Sequence, residues 1–305
     1  MAKNSNLHAA KVAKNDEFYT MLTDIEKEMS HYKDFFNGKV VYCNCDDARE
    51  SNFFKYFSLN FEFLGLKKLI TTGYKAEGKG VVLIYEGDKN GNRKVEDKEI
   101  VVRELEGSGD FRSEECIEFL KEADVVVTNP PFSLFREYIK QLMDYGKKFI
   151  IIGSMNAITY REVFPLIQNN ELWLGNQNMK EFRSPNGEIK KFGNILWYTN
   201  IQHKKRNTPL DLYKRYSNEY PKYDNYDAIE VSRVENIPMD YDGVMGVPIS
   251  FLHKYNPEQF EIVDINPHFF SLVEKGFEKP KQLSLKSYGL KDPYARILIR
   301  KKVSA

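Results

Sequence analysis

The sequence predicts an α/β protein with a doubly wound, mainly parallel sheet and a smaller C-terminal α+β module. Residues 125–127 are three valines, apolar on both faces as a central parallel strand requires. Strand-like runs alternate with amphipathic helical runs up to about Asn200, which is typical of a parallel sheet covered by helices. Beyond that residue the alternation fades and the chain becomes rich in tyrosine. We therefore expect a catalytic domain over 1–200 and a second module over 201–305.

The first part of the chain predicts one helix followed by a β-α unit. Thr23 stands three residues before Glu26, a capping-box spacing that predicts a helix from Asp24 to about Phe36. Residues 39–43 contain strong strand formers. The run 49–59 has helical spacing, with several phenylalanines on one face.

The middle of the chain predicts a hairpin and several further elements. Asn90-Gly91 lies between the strand-like runs 80–85 and 99–103, and Asn-Gly is a strong hairpin signal. The other predicted strands are 68–72, 148–153, 172–174 and 193–200, and the other predicted helices are 113–121, 133–145 and 160–168.

Composition limits the class of protein more than it identifies a function. With 42% hydrophobic and 29% charged residues, the 305-residue chain has the composition of an ordinary soluble protein. A net charge of +1 does not by itself indicate nucleic acid. No apolar run approaches the roughly 20 residues of a membrane span, and no signal-peptide pattern is present, so we expect a cytoplasmic protein. Three cysteines predict neither a disulfide framework nor a four-ligand zinc site, and Cys43 and Cys45 are expected to pack in the fold rather than to bind metal.

Residues 129–132 read Asn-Pro-Pro-Phe and follow the valine strand directly. Two prolines end a strand because neither can donate to a ladder, and Pro130 holds Asn129 extended. The loop therefore presents the Asn129 amide, the Pro130 carbonyl and the Phe132 ring with little freedom. Two acceptors that take both N–H groups of an aromatic amine favour its pyramidal, nucleophilic form. The alternative is an ordinary turn, since Asn-Pro is a common turn pair.

Several segments together resemble the EcoRI-type adenine-specific DNA methyltransferase family. The Asn-Pro-Pro-Phe loop alone resembles the catalytic motif of amino-group methyltransferases that use S-adenosylmethionine. The segments that carry the closer resemblance are 15–20 (Asn-Asp-Glu-Phe-Tyr-Thr), 41–47 (Val-Tyr-Cys-Asn-Cys-Asp-Asp), 124–135, 243–252 and 256–260. The resemblance extends over almost the whole chain. It implies a Rossmann-like methyltransferase fold, S-adenosylmethionine as cofactor, and adenine in double-stranded DNA as substrate.

The resemblance also implies site residues. Amine contacts and stacking fall on Asn129, Pro130, Pro131 and Phe132, and cofactor contacts fall on Asp16, Phe18, Tyr19, Thr20, Asn44, Asp46, Asp47, Asp110, Phe111 and Asn129. These positions lie at predicted carboxyl ends of strands or just before the first helix, where open α/β sheets bind ligands. For each acid, a helix-cap or first-turn carboxylate is the alternative.

Two positions depart from the usual cofactor pocket. The glycine-rich turn after the first strand is replaced by Asn44-Cys45-Asp46-Asp47, so the loop must follow a different path. The strand that ends near Gly73 lacks the acid that commonly binds ribose hydroxyls, and Glu86 is the residue that could replace it.

Adenine in a duplex must be flipped out of the stack, and stacking on Phe132 would offset part of that cost. Trp197 and Tyr198 would give a second stacking face or belong to the core. The predicted phosphate contacts are Lys190, Lys191, Lys204, Lys205, Arg206 and the basic tail 273–305. A solvated charged face is the alternative for each cluster.

Other functions remain open at this point. The Asn-Pro-Pro-aromatic loop would also suit methylation of RNA adenine or of a protein glutamine amide. A catalytically silent nucleic-acid-binding relative is a further alternative. If the enzyme modifies DNA in a restriction–modification system, a cognate restriction endonuclease is an expected partner, and the nucleoid is its expected location.

Overall fold

A computed structural model describes residues 19–45, 47–183, 188–268, 270 and 282–302. Its contacts divide the chain into two units: Met1–Ala157 with Gly175–Ile201, and Ile158–Leu174 with Gln202–Ala305. This division differs from a boundary at residue 200, because residues 158–174 group with the second unit. The reason is visible at Gln168, whose side-chain amide donates to the carbonyls of Ile262 and Val263 at 3.3 and 2.8 Å.

Unit 1 contains a nine-stranded sheet in the order β1-β8-β9-β7-β6-β2-β3-β4-β5. Its strands are β1 Tyr19–Thr20, β2 Val40–Cys43, β3 Lys68–Gly73, β4 Val81–Tyr85, β5 Ile100–Glu104, β6 Val125–Thr128, β7 Lys148–Ser154, β8 Trp173–Arg183 and β9 Ile189–Thr199. Its helices are α1 Leu22–Met29, α2 Asn52–Leu59, α3 Phe61–Leu64, α4 Glu114–Glu122 and α5 Phe135–Asp144.

The four central strands, β7-β6-β2-β3, are parallel to one another. The residues of β2 and β6 are all buried, as expected for strands covered on both faces. The flanking pairs β3–β4, β4–β5, β7–β9 and β1–β8 are antiparallel. The predicted doubly wound α/β class is therefore confirmed, with parallel pairing concentrated at the centre of a mixed sheet.

Local predictions differ from the structure at two places. Helix α1 begins at Leu22, and Thr23 is not its cap, because the carbonyl of Met21 already accepts from the N–H groups of Asp24 and Ile25 at 3.0 and 3.2 Å. The helix ends at Met29, well before the predicted end at Phe36. The short strands predicted at 172–174 and 193–200 belong to the 11-residue strands β8 and β9. The remaining residues of both strands include many polar ones, so the sequence predicted only the more apolar part of each.

A buried carboxylate fixes β8 to α1. Glu28 is fully buried and accepts from the N–H groups of Asn176 and Gln177 at distances from 2.8 to 3.0 Å. The hydroxyl of Tyr32 donates to the same carboxylate at 2.9 Å. At its other end β8 pairs with β1, where Phe182 lies opposite Thr20.

Unit 2 contains helix α6, Phe164–Gln168, and a four-stranded sheet in the order β10-β11-β13-β12. Its strands are β10 Ile229–Glu230, β11 Met245–Val247, β12 Phe260–Asn266 and β13 Arg296–Lys301. Inside this sheet Arg296 pairs with the buried carboxylate of Glu230 at 2.6 Å. In the part of the chain that the structure describes, no helix is long and apolar enough to cross a membrane.

Candidate active site

The carboxyl ends of four strands meet at one edge of the nine-stranded sheet. Strands β2, β3 and β6 are parallel. Strand β4 is antiparallel to both β3 and β5, so β5 ends at the same edge as β3. The loops 44–51, 105–113 and 129–134 therefore share that edge, where α/β sheets commonly bind ligands.

The loop at 129–132 leaves β6 as a partly buried turn that contains two prolines. Asn129 is half-buried with its side-chain oxygen inside the protein, and Pro130 is buried. Phe132 is partly buried and packs against the hydrophobic core, where it begins a short 3₁₀ helix that leads into α5. The prolines end the strand as predicted. The Asn129 amide, the Pro130 carbonyl and the Phe132 ring all belong to this one short loop.

The loop that follows β2 is held by hydrogen bonds from two other elements. Asn44 is buried, its carbonyl accepts from the Thr128 hydroxyl, and its side-chain oxygen accepts from the Tyr138 hydroxyl. Cys45 has a φ of 68°, a left-handed conformation that glycine adopts most easily. Cys45 therefore adopts the left-handed conformation at the place where the usual cofactor pocket has a glycine-rich turn.

Asp47 serves as a local cap in this loop. Its carboxylate accepts from the N–H groups of Arg49 and Glu50 at 2.9 and 3.2 Å, ahead of α2. The structure therefore gives Asp47 the capping contacts of the alternative interpretation, and it leaves the predicted cofactor contact as a prediction. Asp46 lies outside the described residues.

Thr20 is joined to the same loop region. The side-chain amide of Asn52, at the start of α2, donates to the Thr20 carbonyl at 2.7 Å. The Thr20 hydroxyl is buried and has no hydrogen-bond partner among the described residues. A buried hydroxyl of this kind fits contact with a polar ligand. The neighbouring predictions Asp16 and Phe18 lie outside the described residues, and Tyr19 is described only by its backbone pairing with Arg183.

The loop that carries Asp110 and Phe111 is tied to the end of β3. The N–H of Lys75 donates to the Ser108 carbonyl at 2.9 Å. Gly109 has a φ of 82°, and a Cβ there would lie 2.4 Å from the Gly73 carbonyl oxygen, so only glycine allows this approach.

Asp110 is paired within its own loop. Its carboxylate accepts from Arg112 at 2.7 and 2.9 Å, and these hydrogen bonds lower the pKa of Asp110. Phe111 is only 5% exposed, so a ligand can touch no more than an edge of its ring.

Helix α5 organises these loops, a role that is absent from the sequence-based predictions. Besides the bond from Tyr138 to Asn44, the Tyr138 ring packs edge-on against Phe111, with centroids 5.0 Å apart. Gln141 donates to the Phe111 carbonyl at 3.2 Å, and Glu137 pairs with Arg112 at 3.0 Å. The only sequence signal for this role is that α5 directly follows the Asn-Pro-Pro-Phe loop.

Other predicted positions are distributed between the edge and the core. Strand β9 pairs Ile195 with Ser154 at the end of β7, so Lys190 and Lys191 extend beyond the same edge. Lys191 pairs with Glu181 at 3.3 Å. Trp197 and Tyr198 are fully buried, which corresponds to the core alternative.

The suggestion for Glu86 is wrong. Because β4 is antiparallel to β3, Tyr85 pairs with Leu69 near the start of β3. Glu86 therefore lies at the opposite edge of the sheet from the site, where it pairs with Lys89 at 3.3 Å.

The predicted phosphate contacts in unit 2 differ in exposure. Lys204 is exposed, Lys205 is partly buried and Arg206 is 8% exposed. In the described part of the basic tail, Arg296 is paired inside the sheet, and the Lys301 ammonium donates to a main-chain carbonyl. Part of the tail therefore forms strand β13, in which Arg296 is an internal ion-pair partner, while Lys286, Lys291 and Lys302 are exposed.

Known proteins that are similar to this chain include three type II methyltransferases. The chain is 47% identical over 330 residues to the type II methyltransferase M.EcoRI of Escherichia coli, covering 99% of this chain and 98% of that protein. It is 37% identical to M.MgeORF184P of Mycoplasma genitalium, covering 97% and 98%, and 37% identical to M.MpnI of Mycoplasma pneumoniae, covering 96% and 97%. The family model described as adenine-specific methyltransferase EcoRI matches residues 6–302, and the chain belongs to that family.

Proposed function

We propose that this chain is a sequence-specific DNA methyltransferase that transfers a methyl group from S-adenosylmethionine to adenine N6. The observation that carries the proposal is the rigid Asn129–Phe132 loop on a central strand, at the edge where the Asn44 and Asp110 loops also lie. Membership of the adenine-specific methyltransferase EcoRI family supports adenine as the substrate base. The three relatives are all type II methyltransferases, which supports a role in restriction–modification.

The loop residues act on the amine by orientation and hydrogen bonding. The Asn129 side-chain oxygen and the Pro130 carbonyl accept the two N–H groups of the adenine amine. Both acceptors are neutral, and they favour the pyramidal nitrogen whose lone pair is no longer delocalised into the ring. Pro130 and Pro131 keep these acceptors in place, so little reorganisation is needed when charge develops. Phe132 stacks on the flipped base and offsets part of the unstacking cost.

The cofactor, when bound, supplies an electrophilic methyl group. Thr20, Asn44, Asp47, Asp110 and Phe111 would hold it, together with Asp16, Phe18, Tyr19 and Asp46. The buried Thr20 hydroxyl supports this, since it has no protein partner among the described residues and a ligand would provide one. The left-handed turn at Cys45 supports it too, because it lets the loop turn after β2 without a glycine.

Double-stranded DNA is the proposed partner, held by Lys190, Lys191, Lys204, Lys205 and Arg206. We include a restriction endonuclease with the same recognition sequence as a second partner of the system. A DNA-modifying enzyme of this kind acts in the cytoplasm, at the nucleoid. The fragment 201–305 and the residues 158–174 that group with it are the proposed target-recognition module.

The decisive experiment is methyl transfer from labelled S-adenosylmethionine to duplex DNA, structured RNA and glutamine-containing peptide in parallel. We expect label in N6-methyladenine of duplex DNA. Sequencing of DNA from a host that expresses the protein would then give the recognition sequence. Label in RNA or in a glutamine amide would show that the substrate is RNA or protein, and it would contradict the proposed DNA substrate. Cofactor binding without transfer to any substrate would indicate a catalytically silent relative.

A further inference from the structure

Unit 2 contains a polar cleft of about 780 Å³ whose most buried charged group is Arg206. Gln202, Asn169, Asn207, Arg300 and Lys302 line it as well. The cleft belongs to none of the loops that carry the methyl-transfer site. Its occupant is therefore a separate question.

Arg206 is a buried cation held by an aromatic ring. Its guanidinium carbon lies 3.9 Å from the centroid of the Trp173 ring. The indole N–H of Trp173 donates to the Asn170 side-chain oxygen at 2.8 Å, which fixes the ring that supports the guanidinium. A guanidinium held over an indole face can still use its N–H groups for hydrogen bonds to other groups.

No protein anion neutralises this cation within the part of the chain that the structure describes. The side chain of Arg206 forms no ion pair there, and its buried Nε has no hydrogen-bond partner. Burial lowers the pKa of Arg206 because it desolvates the charged form, and the nearby Glu258 carboxylate offsets only part of that effect. A desolvated guanidinium without an acceptor is costly, and an anion in the cleft would remove that cost.

The other charges of the cleft favour an anion by a small margin. Three cations, Arg206, Arg300 and Lys302, face two carboxylates, Glu258 and Glu261. Glu261 is engaged by Arg300 at 3.8 Å. Glu258 remains as the group that would oppose a bound anion or compete with it for Arg206.

We propose that this cleft binds one backbone phosphate of DNA, with Arg206 as its principal contact. Arginine can form two parallel hydrogen bonds to phosphate oxygens, and the contact with Trp173 restricts the movement of the guanidinium. The inference rests on the proposed DNA substrate. Among the three basic residues 204–206, it assigns the phosphate contact in the cleft to the buried Arg206. Lys302 and the amide side chains at the rim complete the site.

The test measures the affinity of the full-length protein for mixed-sequence duplex DNA as a function of salt concentration. Arg206→Gln should weaken binding roughly tenfold at low salt and reduce the slope of log K against log salt by about one. Arg206→Lys should lie between wild type and Arg206→Gln, since it keeps the charge and loses the planar fork. Arg233→Gln is the matched control, because Arg233 is exposed and pairs with Glu235 at 3.6 Å.

Glu258→Gln tests whether the partner of Arg206 is a bound phosphate or the Glu258 carboxylate. If a phosphate occupies the cleft, removing Glu258 should tighten DNA binding. If Arg206 instead stabilises the fold by its interaction with Glu258, the Glu258→Gln protein should unfold at a lower temperature and its DNA affinity should be unchanged. That result would overturn the proposal. A folded Arg206→Gln protein with wild-type affinity and slope also overturns it. Should Arg206→Gln not fold, Arg206→Lys and Glu258→Gln decide the question. Failure of wild-type protein to bind DNA would instead contradict the proposed function.

Discussion

The sheet edge in unit 1 and the cleft in unit 2 both hold buried polar groups, but these groups have different partners. At the edge, Asn44 accepts from Tyr138 and Thr128, and Asp110 accepts from Arg112. In the cleft, the guanidinium of Arg206 lies on an indole ring and forms no ion pair with any described residue. The edge is therefore preorganised by the chain itself, as a site that must orient reacting atoms requires. The cleft requires an anion from outside.

The largest effect is expected at the edge, from Asn129→Ala. Without the amide, one acceptor of the adenine amine is lost, and turnover should fall at least about 100-fold. Cofactor affinity should change little, since the loops at Asn44 and Asp110 remain. Labelled methyl transfer and calorimetric cofactor titration give the two quantities. Asn92→Ala, in the exposed hairpin turn, is the matched control. An active Asn129→Ala enzyme would remove the assigned role.

Tyr138→Phe tests whether preorganisation is the property that separates the two regions. The change keeps the ring against Phe111 but leaves the Asn44 side-chain oxygen without its donor. Because an unsatisfied buried acceptor costs about 1–3 kcal/mol, the Asn44 loop should lose its fixed geometry. We expect cofactor affinity to fall about tenfold, with a smaller change in the turnover of saturated enzyme.

Tyr32→Phe is the control for this prediction. It removes a comparable buried hydroxyl, which donates to Glu28 at 2.9 Å away from the Asn44 loop. A similar fall in cofactor affinity for both variants would show general destabilisation rather than positioning by Tyr138.

Sequence reasoning reached the edge because its signals are local. Three valines, followed after two residues by two prolines, favour a buried strand that ends in a stiff loop. The Gly109 approach to Gly73 and the bond from Tyr138 to Asn44 join residues far apart in the chain, so no local pattern predicts them. Glu86 was misplaced for the same reason: its edge depends on the direction of β4, which pairing decides.

The cleft was harder to anticipate from composition. The run Lys204-Lys205-Arg206 suggests a uniform basic surface, yet its three side chains range from exposed to buried. The basic tail contributes Arg296 to an internal ion pair in β13. A count of charges carries no information on burial, and burial decides whether a cation is a solvated surface group or a binding site.

His253 provides a pH-dependent test of the region around the cleft. Burial, with a contribution from Lys205, lowers the pKa of His253 to about 4. The unfolded chain binds a proton near pH 6.5, so stability should be lost as pH falls from about 6.5 towards 4. Between about pH 7 and pH 4.5, the free energy of unfolding should fall less for His253→Gln than for wild type, by on the order of 1 kcal/mol. Denaturant unfolding at the two pH values measures this difference. Equal acid loss in both proteins would contradict this origin.

Asp110→Asn should give the smallest effect and completes the comparison at the edge. Hydrogen bonds from Arg112 lower the pKa of Asp110, so the pair stabilises the fold above the ordinary carboxyl pKa of about 3.9 and loses that contribution as pH falls further. At about pH 7 the substitution should cost roughly 0.5 kcal/mol of unfolding free energy, because the pair is partly exposed and screened. The difference from wild type should shrink at acid pH and in high salt. If it stays constant under both conditions, Asp110 contributes through the shape of its loop, and Arg112 is not what preorganises it.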